Sequence, residues 1–203
     1  MKITKISFSK RGNVLIYADE EYLMSVPQEV FLKSGIKLNS HITEEEAENI
    51  LSSSNSYKAK EKALRLLSFR AHSKQELKNK IKRVSDEEAA ESATQKMEEL
   101  GLINDKSYAA MYAKELFFRK FYSEKRVAYE LSKKGVSKDI ISEVIDEISP
   151  DEEDILKSAF EKKFYNRIKT EKDINRAYMY FCRLGYSFSQ IKSLFGLFGV
   201  GNY

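Results

Sequence analysis

Arg119-Lys120-Phe121-Tyr122-Ser123, with Val127 and Leu131 four and eight residues beyond the serine, closes one helical run and opens another. The same unit occurs twice more. Phe69-Arg70-Ala71-His72-Ser73 precedes Leu77 and Ile81, and Arg183-Leu184-Gly185-Tyr186-Ser187 precedes Ile191 and Phe195. In each copy the serine hydroxyl is suited to accept from a free N–H in the first turn of the next helix, whose apolar residues form one stripe. A reused helix-turn-helix unit points to a repeat, and repeats build extended binding surfaces more often than catalytic pockets.

Outward from these units, nine helical segments are expected beyond residue 56, at 57–71, 73–83, 86–100, 105–121, 124–134, 138–148, 151–165, 171–184 and 188–198. Ser85-Asp86-Glu87-Glu88 is a capping box with an acidic first turn. Leu100-Gly101-Leu102-Ile103-Asn104-Asp105 ends one helix through glycine and caps the next, and Lys133-Lys134-Gly135-Val136-Ser137 repeats that device. Ser149-Pro150-Asp151 closes the second unit, because the residue before proline is biased out of helix. Matching the serines pairs the helices differently from counting them by threes, and both phasings give a helical array.

The first 55 residues are of another kind. Ile3-x-x-Ile6-x-Phe8 and Val14-x-Ile16-Tyr17 alternate as strands do, Glu21 to Val26 forms a third, and Lys10-Arg11-Gly12-Asn13 and Asp19-Glu20 supply the turns. Pro27 opens a short helix through Leu32, and Thr43-Glu44-Glu45-Glu46 caps another reaching Leu51. Ser52-Ser53-Ser54-Asn55-Ser56, small and polar, reads as a linker. The expected fold is therefore mainly α: tandem three-helix repeats in an elongated array, preceded by a small α+β domain with an antiparallel β-meander. The expected domains are 1–55, 56–104, 105–150 and 151–203.

Composition narrows the function. The charged fraction is 33% and the mean hydropathy −0.51, as suits a thin, high-surface molecule. The single cysteine, Cys182, allows no internal disulfide, and a reducing cytoplasm is the expected location. No stretch approaches the ~20 apolar residues of a membrane span, and the start of the chain has no apolar leader region. Net charge is +4, yet it is laid out in blocks. Ser56 to Val84 carries +8, Ser85 to Asp105 −6, Lys106 to Lys138 +6, Asp139 to Asp154 −8 and Ile155 to Tyr203 +6. Basic faces able to follow a polyanion thus alternate with acidic helices that limit indiscriminate binding.

No catalytic or cofactor constellation is present. His41 and His72 lie far apart with no cysteine or second histidine at ligand spacing, and His72 reads as a turn residue. Gly196-Leu197-Phe198-Gly199-Val200-Gly201 follows no strand and opens no helix, so it is not a phosphate loop. The acidic runs Glu44 to Glu48 and Asp151 to Asp154 lack the interleaved pattern of a calcium loop. What remains is a set of basic helices. Arg119, Lys120, Lys125, Arg126, Lys133 and Lys134 surround the second serine helix, and Arg65, Arg70, Lys74, Lys78, Lys80, Lys82 and Arg83 the first. Phe118, Phe121, Tyr122 and Tyr186 are placed to stack on unpaired bases. Leu64, Leu67, Tyr108, Tyr112, Leu116, Phe181 and Phe188 are assigned to the core.

From about Ala59 to Phe198 the chain resembles the RecX family of bacterial regulators of the RecA recombinase. The resemblance is carried by Ala63-Leu64-x4-Phe69-Arg70-x2-Ser73-x2-Glu76-Leu77 and Leu100-Gly101-Leu102-Ile103-Asn104-Asp105-x2-Tyr108-Ala109. It continues through Arg126-x3-Glu130-Leu131-x2-Lys134-Gly135-Val136 to Arg183-x-Gly185-Tyr186-Ser187. In the first repeat Lys82-Arg83-Val84-Ser85 replaces the family's common Lys-Gly pair. The resemblance implies a non-enzymatic, cofactor-free modulator that binds RecA filaments and suppresses recombinase, coprotease and ATPase activity. Expected partners are the RecA filament and, weakly and without strong sequence preference, single-stranded or duplex DNA; no membrane is involved and a monomer is expected. Arg70, Lys74, Arg119, Lys120, Arg126, Lys134 and Arg183, which flank equivalent serine turns, are the expected RecA and DNA surface. The alternative is a helix-turn-helix transcription regulator that discriminates duplex sequences.

Overall fold

Alternation of apolar and polar residues produces the expected strands, β1 (Ile3–Phe8), β2 (Asn13–Ala18) and β3 (Glu21–Pro27), paired antiparallel in the order β1-β2-β3. Asp19 and Glu20 both take positive φ, 48° and 70°, which is the two-residue turn whose twist matches that of its strands. Val14, Ile16, Met24 and Val26 point to the buried face, where α1 (Gln28–Ser34) and the start of α2 (Glu44–Phe69) cover them. Thr43 caps α2 as expected: its hydroxyl accepts from Glu46 N–H at 3.1 Å while Glu46 accepts from Thr43 N–H at 2.8 Å. The computed structural model describes residues 1–10, 12–148 and 150–200. Arg11 of the first turn, Ser149 before Pro150 and Gly201 of the glycine run fall outside them.

One expectation fails in this region. The linker read at Ser52 to Ser56 is helical, because α2 runs without interruption from Glu44 to Phe69 and joins the two helices expected on either side. Five residues of modest helix propensity cost about 0.5 kcal/mol each relative to alanine, and packing overrides that cost. Ser54 is buried, and Asn55 Nδ2 donates to Asp86 at 2.5 Å.

All nine helical segments expected after residue 56 are present among the described residues. The C-terminal half of α2 is followed by α3 (Lys74–Ile81), α4 (Glu87–Glu99), α5 (Asp105–Phe118), α6 (Glu124–Lys133), α7 (Lys138–Ile148), α8 (Glu152–Phe164), α9 (Glu171–Leu184) and α10 (Phe188–Leu197). The chain divides into two compact units, Met1–Ile103 and a second that begins at Asn104. Each unit holds two cores. In the first, the meander, α1 and the start of α2 close over Ile3, Ile16 and Met24, and the rest of α2 with α3 and α4 closes over Ala63, Leu77, Ile81 and Met97. In the second, α5 to α7 enclose Phe117, Val127, Leu131 and Val144, and α8 to α10 enclose Phe160, Phe181, Ile191 and Leu194.

Part of the alternating charge is paired between neighbouring helices at the surface of these units. Lys74 pairs with Glu98 at 2.6 Å, Lys82 with Glu87 at 2.5 Å, and Lys78 with both Glu87 and Glu91, so the basic α3 is stitched to the acidic α4. Lys106 likewise pairs with Glu143 at 2.7 Å and Glu147 at 2.8 Å, tying α5 to α7. Such pairs are exposed, each worth about 0–1 kcal/mol, but they spend much of the first repeat's positive charge within the fold. Two core assignments also change: Leu64 and Phe188 are exposed, on the outward faces of α2 and α10.

Candidate cationic interface

The three serine units share the same cap and the same buried stripe. Ser73 Oγ accepts from Glu76 N–H at 3.1 Å, Ser123 Oγ from Arg126 N–H at 3.3 Å and Ser187 Oγ from Gln190 N–H at 3.3 Å. The residues four and eight positions on, Leu77 and Ile81, Val127 and Leu131, Ile191 and Phe195, are all buried. Ser73 and Ser123 are buried themselves, whereas Ser187 is exposed.

Within the second unit two of these turns dock on each other. Ser123 N–H donates to Leu184 O at 3.0 Å, and the Tyr186 hydroxyl donates to Phe121 O at 3.1 Å. Glu152, at the start of α8, accepts from Glu124 N–H and from Gln190 Nε2, both at 2.6 Å, and so bridges the first turns of α6 and α10. Close approach requires a residue without a side chain: a β-carbon on Gly185 would overlap Ser123 Oγ and lie 2.7 Å from Arg126 Cβ. Gly185 has φ 100°, and Phe121, its counterpart in the second copy, takes the left-handed φ of 58° without being glycine. The Phe121 ring packs against the cores on both sides, which holds it there.

Cations gather around this docked pair. Lys162 Nζ lies 5.3 Å above the Phe121 ring and Lys163 Nζ 4.1 Å above that of Tyr180. The Arg126 guanidinium lies over Tyr122 at 5.5 Å and Tyr129 at 5.3 Å, and it pairs with Glu130 at 2.7 Å. Its Nε is buried with no hydrogen-bond partner among the described residues, so Arg126 is as much a part of the junction as of its surface. Lys134 Nζ sits over Tyr112 at 5.9 Å. Arg119, Lys120 and Arg183 are exposed and form no ion pair among the described residues.

The seven residues expected from sequence are divided between the two units. Arg119, Lys120, Arg126 and Arg183 come together on the docked turns of the second unit, and Lys134 lies at the far end of α6. Arg70 and Lys74 belong to the first unit, where Arg70 is held by Glu76 at 2.7 Å and Lys74 by Glu98. Lys162 and Lys163 were missed. In sequence they are two lysines in the last turn of a helix, a position the helix dipole favours anyway, and nothing local brings them to Phe121.

Ammonium groups over aromatic faces are attracted to the ring quadrupole by about 0.5–2 kcal/mol, which positions them without neutralising their charge. Phe121 and Tyr122 each carry a cation over the ring and Phe118 is exposed, whereas the base-stacking role expected for Tyr186 fails: that side chain is buried, with its hydroxyl bonded to Phe121 O. Burial pushes the Tyr180 phenol up, with the neighbouring Tyr122 adding to the effect and Arg183 opposing it, so it stays protonated at neutral pH. Among the described residues no three His, Cys, Asp or Glu side chains are grouped to hold a metal, and no helix is long and apolar enough to cross a membrane.

Comparison with known proteins agrees with this architecture. Models of the first and second three-helix domains of RecX match residues 59–97 and 104–145. The regulatory protein RecX of Clostridium botulinum (strain Alaska E43 / Type E3) is 30% identical over 203 residues, covering 95% of this chain and 94% of the relative. That of Caldanaerobacter subterraneus subsp. tengcongensis is 33% identical over 167 residues, covering 80% and 84%. A crystal structure of regulatory protein RecX superposes with a TM-score of 0.61 at 22% identity over 95% of this chain and 98% of that one. RecX from Lactobacillus salivarius gives 0.53 at 20% identity over 71% and 97%, and both structures share this fold.

Proposed function

Since the chain belongs to the RecX family of regulatory proteins, we propose that it binds the RecA nucleoprotein filament in the cytoplasm, as a monomer, and suppresses its recombinase, coprotease and ATPase activities. The observation that carries this reading is the cluster of Arg119, Lys120 and Arg183, with ring-held Lys162 and Lys163, at a rigid junction of two repeats. A fixed array of cations matches a fixed array of phosphates or carboxylates, and many weak contacts along a filament add as avidity. With cations over the Phe121 and Tyr122 rings, contact with DNA is mainly to phosphates and is tolerant of sequence, and the exposed Phe118 can stack on a base. Inhibition needs no chemistry from this chain. It follows from blocking filament extension, or from holding RecA protomers against the motion that hydrolysis requires.

The test is the single-strand-dependent ATPase rate of the cognate RecA with increasing amounts of this protein. Inhibition well below one copy per RecA is expected, and the R119E/K120E/R183E variant should require at least about tenfold more protein. No inhibition at any ratio overturns the reading. A footprint on one duplex sequence without RecA would instead identify a helix-turn-helix transcription regulator.

A further inference from the structure

In the second and third serine units the residue before the serine is a tyrosine, Tyr122 or Tyr186; in the first it is His72. His72 is 3% exposed, and both ring nitrogens are engaged. Nδ1 lies 2.9 Å from Arg70 O, and Nε2 lies 3.0 Å from Lys80 Nζ. A carbonyl oxygen only accepts and an ammonium only donates, so Nδ1 carries the proton and Nε2 is the bare acceptor. The surroundings select one tautomer of the neutral ring.

The charged groups facing the ring come from both sides of the turn. Arg70 approaches from the end of α2, and Glu76 and Lys80 from α3. Glu76 is shared between the two cations, at 2.7 Å from Arg70 and 3.3 Å from Lys80. α4, packed on α3, supplies Glu98 to Lys74 at the next step of the chain. A proton added to Nε2 would face the Lys80 ammonium directly, with the Arg70 guanidinium and the Glu76 carboxylate beside it. Burial above all holds the imidazole below its usual 6.5; the hydrogen bond to Arg70 O and the Glu76 carboxylate oppose it, and the charges of Arg70 and Lys80 act in the same direction as burial.

We propose that His72 is an acid-sensitive latch on the α2–α3 turn: when its ring takes a second proton, Lys80 is expelled from Nε2 and the turn that carries Arg70 and Lys74 opens. The latch is closed at neutral pH. Its consequence for a partner rests on the function proposed above, but the latch itself is a property of the free protein and is tested on it.

The experiment follows the imidazole nitrogens of the full chain by NMR from pH 8 to 4, with H41Q assigning the second histidine. Amide exchange over residues 70–77, corrected for its intrinsic pH dependence, is measured alongside. His72 is expected to titrate below 6.5, and exchange in the turn to rise about tenfold or more as it does so. K80M, which removes the facing cation, should raise the proton affinity of His72 several-fold, and H72Y, which installs the residue of the other two copies, should abolish the acid-induced exchange. If H72Y does not fold, K80M alone decides. Titration at or above 6.5, an unmoved midpoint in K80M, or a turn whose protection ignores the titration each overturns the proposal. Loss of RecA inhibition in the R119E/K120E/R183E variant bears only on the function, since those residues lie outside this turn.

Discussion

Gly185 stands against Ser123 so closely that the hydroxyl occupies the space where any other residue would carry its β-carbon. The contact joins the turn of one repeat to the serine cap of the preceding one. G185A must both overlap Ser123 Oγ and keep φ near 100°, so a loss of about 2–4 kcal/mol is expected in urea unfolding. A change below 1 kcal/mol would mean that the two repeats part easily.

The serine caps differ in what else they do, and alanine substitutions should rank them. S187A removes a cap at an exposed site and should cost about 0.5–1 kcal/mol. S73A and S123A remove caps at buried sites and should cost about 1–2 kcal/mol. Thermal or chemical unfolding of the three variants checks the order.

Glu124 supplies a pH dependence of opposite sign to the usual carboxylate. Burial first, then the charges of Glu152 and Asp146, hold its carboxyl above the ordinary 4.5. Above its folded-state value the carboxylate is ionised where the fold disfavours it, so it subtracts stability; that loss is relieved as pH falls toward 4.5, below which both states are protonated. E124Q should therefore raise the melting temperature at neutral pH, with the gain disappearing below pH 4.5. A gain that persists in acid would assign the effect to something other than this ionisation.

Lys162 and Lys163 extend the cationic surface beyond the turns themselves. K162E/K163E should weaken RecA inhibition and flatten its salt dependence, while stability changes by about 1–2 kcal/mol at most from the lost ring contacts. Equal inhibition by variant and native protein across a salt series would place the contact elsewhere.

Local chemistry made much of this fold readable. The Thr43 box, the Asp19-Glu20 turn, the serine caps and the stripes behind them all follow from interactions within a few residues, and each is found where the sequence puts it. The errors have long-range causes. Ser52 to Ser56 has the composition of a linker, but α2 is sandwiched by neighbours distant in sequence, and Asp86 reaches Asn55 across 31 positions. The gathering of Lys162 and Lys163 onto Phe121 and Tyr180 likewise depends on how one repeat meets the next. Phe121 carried no signal of its left-handed backbone, because its strain is sustained by two cores at once.

Because α2 serves both cores of the first unit, neither can lose its half of that helix and remain whole. A fragment cut at residue 56 would start in mid-helix, stripped of the Thr43 cap and its acidic first turn, and the released meander would keep only the first turns of α2 and lose Tyr57 from its core. The amino-terminal 55 residues and the first repeat should thus melt as one cooperative block, a single calorimetric transition in which the β-meander is a fastener for the repeat rather than an appendage to it.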